Sequence, residues 1–388
     1  MKYIKKTATV IALIILALVA TTYATNTDYL LKAIRTVYLK GHVTAFLDDY
    51  HAFDNRTVQN DQGQEWPQHK SYNQAKASNA LRQTHDEYGT IAYVVIKNDS
   101  VFYEQYYDGY DKSSNTNSFS MVKSMISGLL GKAIMDGHIQ SLEQPVGDFF
   151  PEFAEGPAKE TTVGDLASMS SGTDWDEHYY SPLSITTRAY FDDNLREVIL
   201  GLKVVEPPGQ KFKYASGDTQ LLGMVIEKAT GKTLTENLST HFWQPLGAEH
   251  PAYWQLDSED SGLEKAYCCL ASNALDFARF GKLYKDQGLW NGERLLDSAF
   301  VAKSTQPRFE ESPQYGYGWW LYEWEGRSFF MMRGHLGQYV IVSPQDNVII
   351  VRLGHKKPKS DFPGQFTTDL PLYIQEGYGL LEQLGQAQ

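Results

Sequence analysis

Two apolar, β-rich runs, TIAYVVIK and VFYEQYY, flank the polar turn Asn98-Asp99-Ser100, which predicts a hairpin. A second β-rich region lies near the C-terminus. YGYGWWLYEWEG, RSFFMMRG, QYVIVSP and NVIIVRLG are four strand-like runs, with short turns at Glu325-Gly326 and Pro344-Gln345-Asp346, spaced as an antiparallel meander. From about 141 to 290 helical periodicity dominates, punctuated by Pro151, Pro157, Pro182, Pro207-Pro208-Gly209 and Gly231; QLLGMVIEKATG and ALDFARFGKLYKDQG are its clearest helices. A helix is expected over Asp28 to Tyr38, and FTTDLPLYIQEGYGLLEQLG reads as a terminal helix interrupted near Gly377. QNDQGQEWPQHKSYNQ reads as an irregular surface arm, and no fixed-period repeat is visible. The simplest packing joins hairpin and meander in one antiparallel sheet, flanked by the N- and C-terminal helices. The mainly helical lobe (about 141–290) is then an insertion over one side of an α+β body, with a cleft at the seam.

The first 24 residues stand apart. Lys2, Lys5 and Lys6 precede a charge-free run from Ala8 to Ala20, with small residues at Thr22 and Ala24 for a cleavage site. The run is short for a membrane span. Residues 1–24 are therefore read as a signal peptide or N-terminal anchor, 25–80 as an N-terminal arm and 81–388 as the body. The body is expected to be exported, to the periplasm or the outer face of the inner membrane, with membrane anchorage through residues 8–24 the alternative to cleavage.

Composition narrows the chemistry. The 388 residues are 42% hydrophobic and 21% charged, an ordinary globular balance, and the formal net charge of -12 argues against a nucleic-acid partner. The ten histidines form no ligand-spaced cluster and no phosphate-binding glycine loop or Gly-x-Ser-x-Gly elbow appears, so no metal and no cofactor are expected. No partner protein is inferred. Cys268 and Cys269 are adjacent and read as packed thiols rather than a bridge.

One segment breaks its own pattern. SFSMVKS opens an apolar helix in which Lys123 is the one charged residue between Ser113 and Gly131. Ser120, Lys123, Ser124, Ser127 and Gly131 share a small-residue face, while Met121, Met125, Leu129 and Val122, Ile126, Leu130 form two apolar stripes, so the helix is expected to be buried. A buried amine loses its proton more readily and can then take one from a serine hydroxyl. The alternative is a lysine that snorkels to water.

Two more segments could meet that pair. In FKYASGDTQLLG, Tyr214 precedes a helix with Ser216 expected at its N-cap, so its hydroxyl could enter a cleft as a phenolate or a proton relay; a packed tyrosine is the plain alternative. In MMRGHLGQYV, Gly334 and Gly337 bracket His335-Leu336 at a strand end, where a backbone N–H could join that of Ser120 as an oxyanion hole, against a simple tight turn. Asp176, Tyr180 and Tyr190 lie in a loop-rich stretch that could form a lid, and Trp319, Trp320 and Trp324 read as core first.

Taken in order, Ser120-Met121-Val122-Lys123, Tyr214-Ala215-Ser216 and Gly334-His335-Leu336-Gly337 resemble the motif set of the serine β-lactamase and penicillin-binding-protein superfamily, in its class C-like branch. GDLASMSSGTDW and YASGDTQLLG are similar to the 6-aminohexanoate-dimer hydrolases and related carboxylesterases. The resemblance covers roughly residues 85 to 385. It implies a β-lactamase/transpeptidase-like fold and a serine hydrolase that cleaves a small-molecule amide or ester through an acyl-enzyme. By position it makes Ser120 the nucleophile, Lys123 its base, Tyr214 the proton shuttle and Ser216 a contact of substrate or of the Lys123 ammonium. Gly334 and His335 then border the oxyanion site; alignment on the motif itself names Gln338 instead. The Lys-Thr-Gly of true β-lactamases is missing, which counts against penicillins and D-Ala-D-Ala peptides, although Arg333 could partly substitute. The rival readings are a penicillin-binding DD-peptidase or weak β-lactamase, and a catalytically silent membrane-anchored binding module.

Overall fold

Hairpin and meander do form one sheet. The computed structural model describes residues 2–359 and 366–385. Its strands β1 (Thr90–Lys97), β2 (Ser100–Tyr106), β3 (Trp320–Trp324), β4 (Arg327–Gly334), β5 (Gln338–Ser343) and β6 (Val348–Gly354) lie in the order β2-β1-β6-β5-β4-β3. Every neighbouring pair is antiparallel, and β1 meets β6 with Val94 opposite Val351. The helices that matter here are α1 (Lys2–Ala24), α2 (Tyr29–Thr36), α3 (Val122–Met135), α4 (Ser216–Thr230), α5 (Ala274–Lys285) and α6 (Asp369–Glu382).

Because side chains alternate across a strand, β1 feeds two cores. Val94 and Ile96 join Val340, Val342 and Val351 in a core shared with Phe277 and Phe280 of α5. Tyr93 and Val95 join Ile341 and Ile350 under Tyr373 and Ile374 of α6. A sheet covered on both faces shows continuous apolar runs rather than alternation. Helix α6 runs unbroken through Gly377, contrary to expectation. A Cβ there would lie 2.6 Å from Ile350 Cδ1, so the glycine serves close helix–sheet packing rather than a kink.

Three other expectations change. The helical block contributes to a second sheet, ordered Asn55–Val58, Ala252–Gln255, Leu270–Ser272, Thr116–Asn117. Strands of two to four residues are too short to register as a period. The irregular arm does lie on the surface, pinned at Trp66, which is buried and whose Nε1 donates to Leu275 O at 3.1 Å. Cys268 and Cys269 are joined as a vicinal disulfide rather than standing as thiols; Cys269 takes φ +75°, and the left-handed turn brings the two side chains to the same side. Finally, α1 outruns the charge-free stretch because the flanking lysines and threonines continue the helix. It is long and apolar enough to cross a membrane, a test that signal sequences also pass.

Candidate active site

Ser120 lies on a short 3-10 turn, Phe119–Met121, that runs directly into α3. The residue before it, Phe119, is held at φ +46°, where a side chain with a Cβ is disfavoured. A polar chain holds it there. Asn117 Oδ1 accepts the Phe119 N–H at 2.8 Å, and Asn117 Nδ2 donates to Asp49 Oδ1 at 2.9 Å. Asp49, from the N-terminal arm, is fully buried and also accepts Tyr190 Oη at 2.7 Å and Gln255 Nε2 at 3.2 Å. Burial raises its carboxyl above the ordinary range, against the pull of the Tyr190 and Asn117 bonds.

Lys123 does not snorkel. It is 3% exposed, with Nζ 2.9 Å from Ser120 Oγ and 2.6 Å from the Tyr267 carbonyl oxygen. Burial pulls its pKa down to about 7, with the Glu177 charge opposing. The lysine therefore carries a substantial neutral fraction near neutral pH, with a lone pair available to the serine proton. The small-residue face closes on the next segment: Ser124 Oγ donates to Gly318 O at 2.6 Å and Ser127 Oγ to Tyr317 O at 2.5 Å. The two apolar stripes, from Met121 to Leu130, are buried.

Tyr214 arrives from the loop before α4. Its phenol interacts with the Ser120 side chain, which lowers its proton affinity, and Lys123 Nζ stands 5.3 Å from its ring centroid. Burial first, then the Glu177 carboxylate, push this phenol well above its usual value, so it stays protonated and the phenolate alternative falls away. Ser216 is not the N-cap. Ala215 takes that place and Ser216 starts the helix. The reason is Glu177, whose carboxylate accepts the Ser216 hydroxyl at 2.6 Å and its N–H at 2.7 Å. Trp175 Nε1 at 2.6 Å and the Tyr179 hydroxyl complete four donors to one carboxylate. The Ser216 hydroxyl is thus committed to Glu177 and not to the Lys123 ammonium.

Glu177 is the residue that sequence reasoning missed. Asp176 beside it drew notice, yet Asp176 is exposed and pairs with His178. Tyr180 stands exposed at the cleft mouth, while Tyr190 is buried in the Asp49 network rather than placed in a lid. Trp319 and Trp320 are buried in the core, Trp320 also facing the cleft, and Trp324 is half-buried.

The glycine-bounded segment meets the serine turn from the sheet. Gly334 ends β4, and a Cβ on it would come within 2.4 Å of Ser118 O, so only glycine allows this approach. His335 and Leu336 then turn, with Leu336 at φ +61° and Gly337 at +81°. The His335 ring meets the Phe119 ring edge-on and lies against Tyr179, each with centroids 5.5 Å apart. Burial lowers its pKa to about 3, which leaves a neutral imidazole, and its Nε2 has no hydrogen-bond partner among the described residues. Gln338 is paired with Gly334 across the turn, and its amide nitrogen ties His335 O and Gly354 O at 3.0 and 2.7 Å. The Arg333 guanidinium lies 4.8 Å from the Trp320 ring on the same wall. Ser120, Tyr214, Ser216, Gly334 and His335 all line one cleft of about 790 Å³.

This geometry has relatives. The sequence profile named Beta-lactamase matches residues 77–371. The 6-aminohexanoate-dimer hydrolase of Paenarthrobacter ureafaciens is 27% identical over 231 residues, 57% of this chain and 58% of that protein. This chain therefore spans little more than half the length of that relative. Among solved structures, a Bacillus anthracis protein of the 6-aminohexanoate-dimer hydrolase type superposes with TM-score 0.74 at 21% identity, over 92% of this chain and 95% of the other. A family VIII carboxylesterase superposes with TM-score 0.59 at 15% identity, over 79% and 98%. At those identities the superpositions carry the fold: a β-lactamase/transpeptidase-like arrangement of sheet and helices. The profile match takes in the serine turn, the tyrosine junction and the glycine-bounded strand end alike, and the chain belongs to the Beta-lactamase family.

Proposed function

We propose that this chain is an exported serine hydrolase that cleaves an amide or ester through an acyl-enzyme on Ser120. The observation that carries the reading is the 2.9 Å contact between Ser120 Oγ and a buried amine whose pKa has fallen to about 7. The substrate carbonyl carbon meets Ser120 Oγ; the Oγ–C bond forms as the hydroxyl proton passes to neutral Lys123 Nζ. The oxyanion rests on the backbone N–H groups of Ser120 and His335. Gln338 is the weaker candidate for the second donor, being engaged in the hairpin with Gly334. Collapse breaks the C–N or C–O bond, and Tyr214, held as a phenol, hands its proton to the leaving amine or alcohol and regains one from Lys123. Water then repeats the sequence on the acyl group. Acid–base transfer of this kind contributes roughly 10²–10⁴ in rate and an oxyanion donor roughly 10²–10³.

The Paenarthrobacter relative is named for an amide substrate, which supports amide as well as ester cleavage here. No Lys-Thr-Gly stands at this strand end, and the missing motif lysine disfavours penicillins and D-Ala-D-Ala peptides. The test is mass spectrometry of the full chain after p-nitrophenyl butyrate or a fluorophosphonate. A stable adduct on Ser120, absent from Ser120→Ala, is expected. An unmodified Ser120 alongside an unreactive chain would return the protein to a silent binding module.

A further inference from the structure

Outside α1, seven of the eleven large apolar side chains exposed among the described residues fall in two short stretches, 34–43 and 179–183. Leu39 is 77% exposed, Val43 73%, Tyr180 72% and Leu183 72%. The two stretches meet in space. Tyr38 and Val43 share the cleft lining with Tyr179 and Tyr180, and α2 packs on the helix Ile185–Phe191 that follows Leu183. Clustered apolar exposure at the lip of a pocket marks an interaction surface.

Another part of the cleft lining is cationic. Lys356 and Lys359 stand exposed there, with Lys357 and Arg333 deeper on the same wall. Glu177 is the one carboxylate among the described lining residues, and four donors already occupy it. Lys40 and His42 add exposed basic groups on the arm. A cationic mouth on a chain of net charge -12 selects an anionic counterpart.

The third observation is connectivity. Only residues 25–28 separate the end of α1 from the start of α2. A link of that length reaches on the order of 15 Å. The most apolar helix of the chain therefore ends beside the apolar lip, which favours a bilayer over a protein as the occupant.

We propose that the mouth of the cleft docks on the surface of a lipid bilayer containing anionic headgroups. Stretches 34–43 and 179–183 enter the headgroup–acyl boundary, where tyrosines and short apolar segments reside, and the lysines of the cleft lining meet the phosphates. Resting on the hydrolase reading above, the substrate class follows: an amphiphile whose scissile amide or ester reaches Ser120 from the lipid side. The docking itself stands on the surface alone.

Nitroxide labels separate the two. The full chain, its native cysteines joined to each other, is labelled singly at Leu39→Cys, Leu183→Cys or, as a remote control, Asn291→Cys. Each is reconstituted in nanodiscs of phosphatidylglycerol and phosphatidylcholine. Labels at 39 and 183 are expected to be shielded from a water-soluble nickel chelate while open to oxygen, with the control accessible. Equal chelate access at all three positions overturns the docking. So does shielding that persists in lipid-free amphipol, which would mean a second copy covers the patch. In a second arm, Leu39→Asp combined with Leu183→Asp should lower hydrolysis of a vesicle-borne fluorogenic ester about tenfold and leave soluble p-nitrophenyl butyrate within about twofold. Equal effects on both esters overturn the lipid-side entry. If the unmutated chain cleaves neither ester, the hydrolase reading fails, and the labels still decide the docking.

Discussion

Glu177 grips Ser216 twice, through its hydroxyl at 2.6 Å and its backbone N–H at 2.7 Å. The same carboxylate acts on Lys123 from a distance, raising its pKa against the pull of burial. One side chain thereby positions Ser216 and tempers the effect of burial on Lys123.

That coupling gives the first prediction. Glu177→Gln keeps much of the shape and removes the charge. The pKa of Lys123 should then drop below about 7. Since the base acts when neutral, the rising limb of kcat/KM against pH should lie near pH 7 in the parent and move to lower pH in the variant. The measurement is the pH profile of p-nitrophenyl butyrate hydrolysis; a limb that stays in place or moves upward would break the link between the carboxylate and the lysine.

Removing the acting groups should separate their roles. Ser120→Ala should reduce turnover to background. Lys123→Ala and Tyr214→Phe should each lower kcat by roughly 10²–10⁴, the usual worth of a positioned acid or base. Steady-state kinetics decide it, and parent-like rates in all three variants would remove the proposed chemistry.

Gly334→Ala introduces a Cβ 2.4 Å from the Ser118 carbonyl oxygen, against backbone that cannot swing aside as a side-chain tip could. The strand end must retreat from the serine turn. A fall in kcat of about 10²-fold is expected, comparable to loss of one oxyanion donor. Circular dichroism should show the sheet retained. Unchanged turnover would mean that this approach plays no part in catalysis.

Asn117→Ala leaves the Phe119 N–H without its acceptor and removes one of the two side-chain donors to Asp49 Oδ1, Gln255 Nε2 being the other. An unsatisfied buried group costs about 1–3 kcal/mol. Thermal unfolding should move down by several degrees, and kcat should fall more than KM changes, because Phe119 at φ +46° would relax and take Ser120 with it.

The large sheet was legible because its strands are long and their apolar runs dense. The serine helix was legible because one lysine broke an apolar pattern. The glycine-bounded strand end could be found from Gly334 and Gly337, though not its contact with Ser118, which depends on a partner more than two hundred residues away. Glu177 left no mark, since Asp176-Glu177-His178 looks like any solvated loop and the burial of its middle member is a tertiary fact. Asp49 was hidden for the same reason: its partners Asn117, Tyr190 and Gln255 come from three separate segments. The small sheet was lost because two to four residues do not make a period.

The pairing of β1 with β6 has a consequence for the life of the chain. Ser120 and Lys123 are made early in synthesis, but the strand that faces them is made near the end, and it is held in place through β5 and β6. A growing polypeptide therefore carries Ser120 and Lys123 before the wall that faces them exists. That wall is fixed only when residues near 350 pair with those near 94, so the cleft is completed after nearly the whole chain has been made.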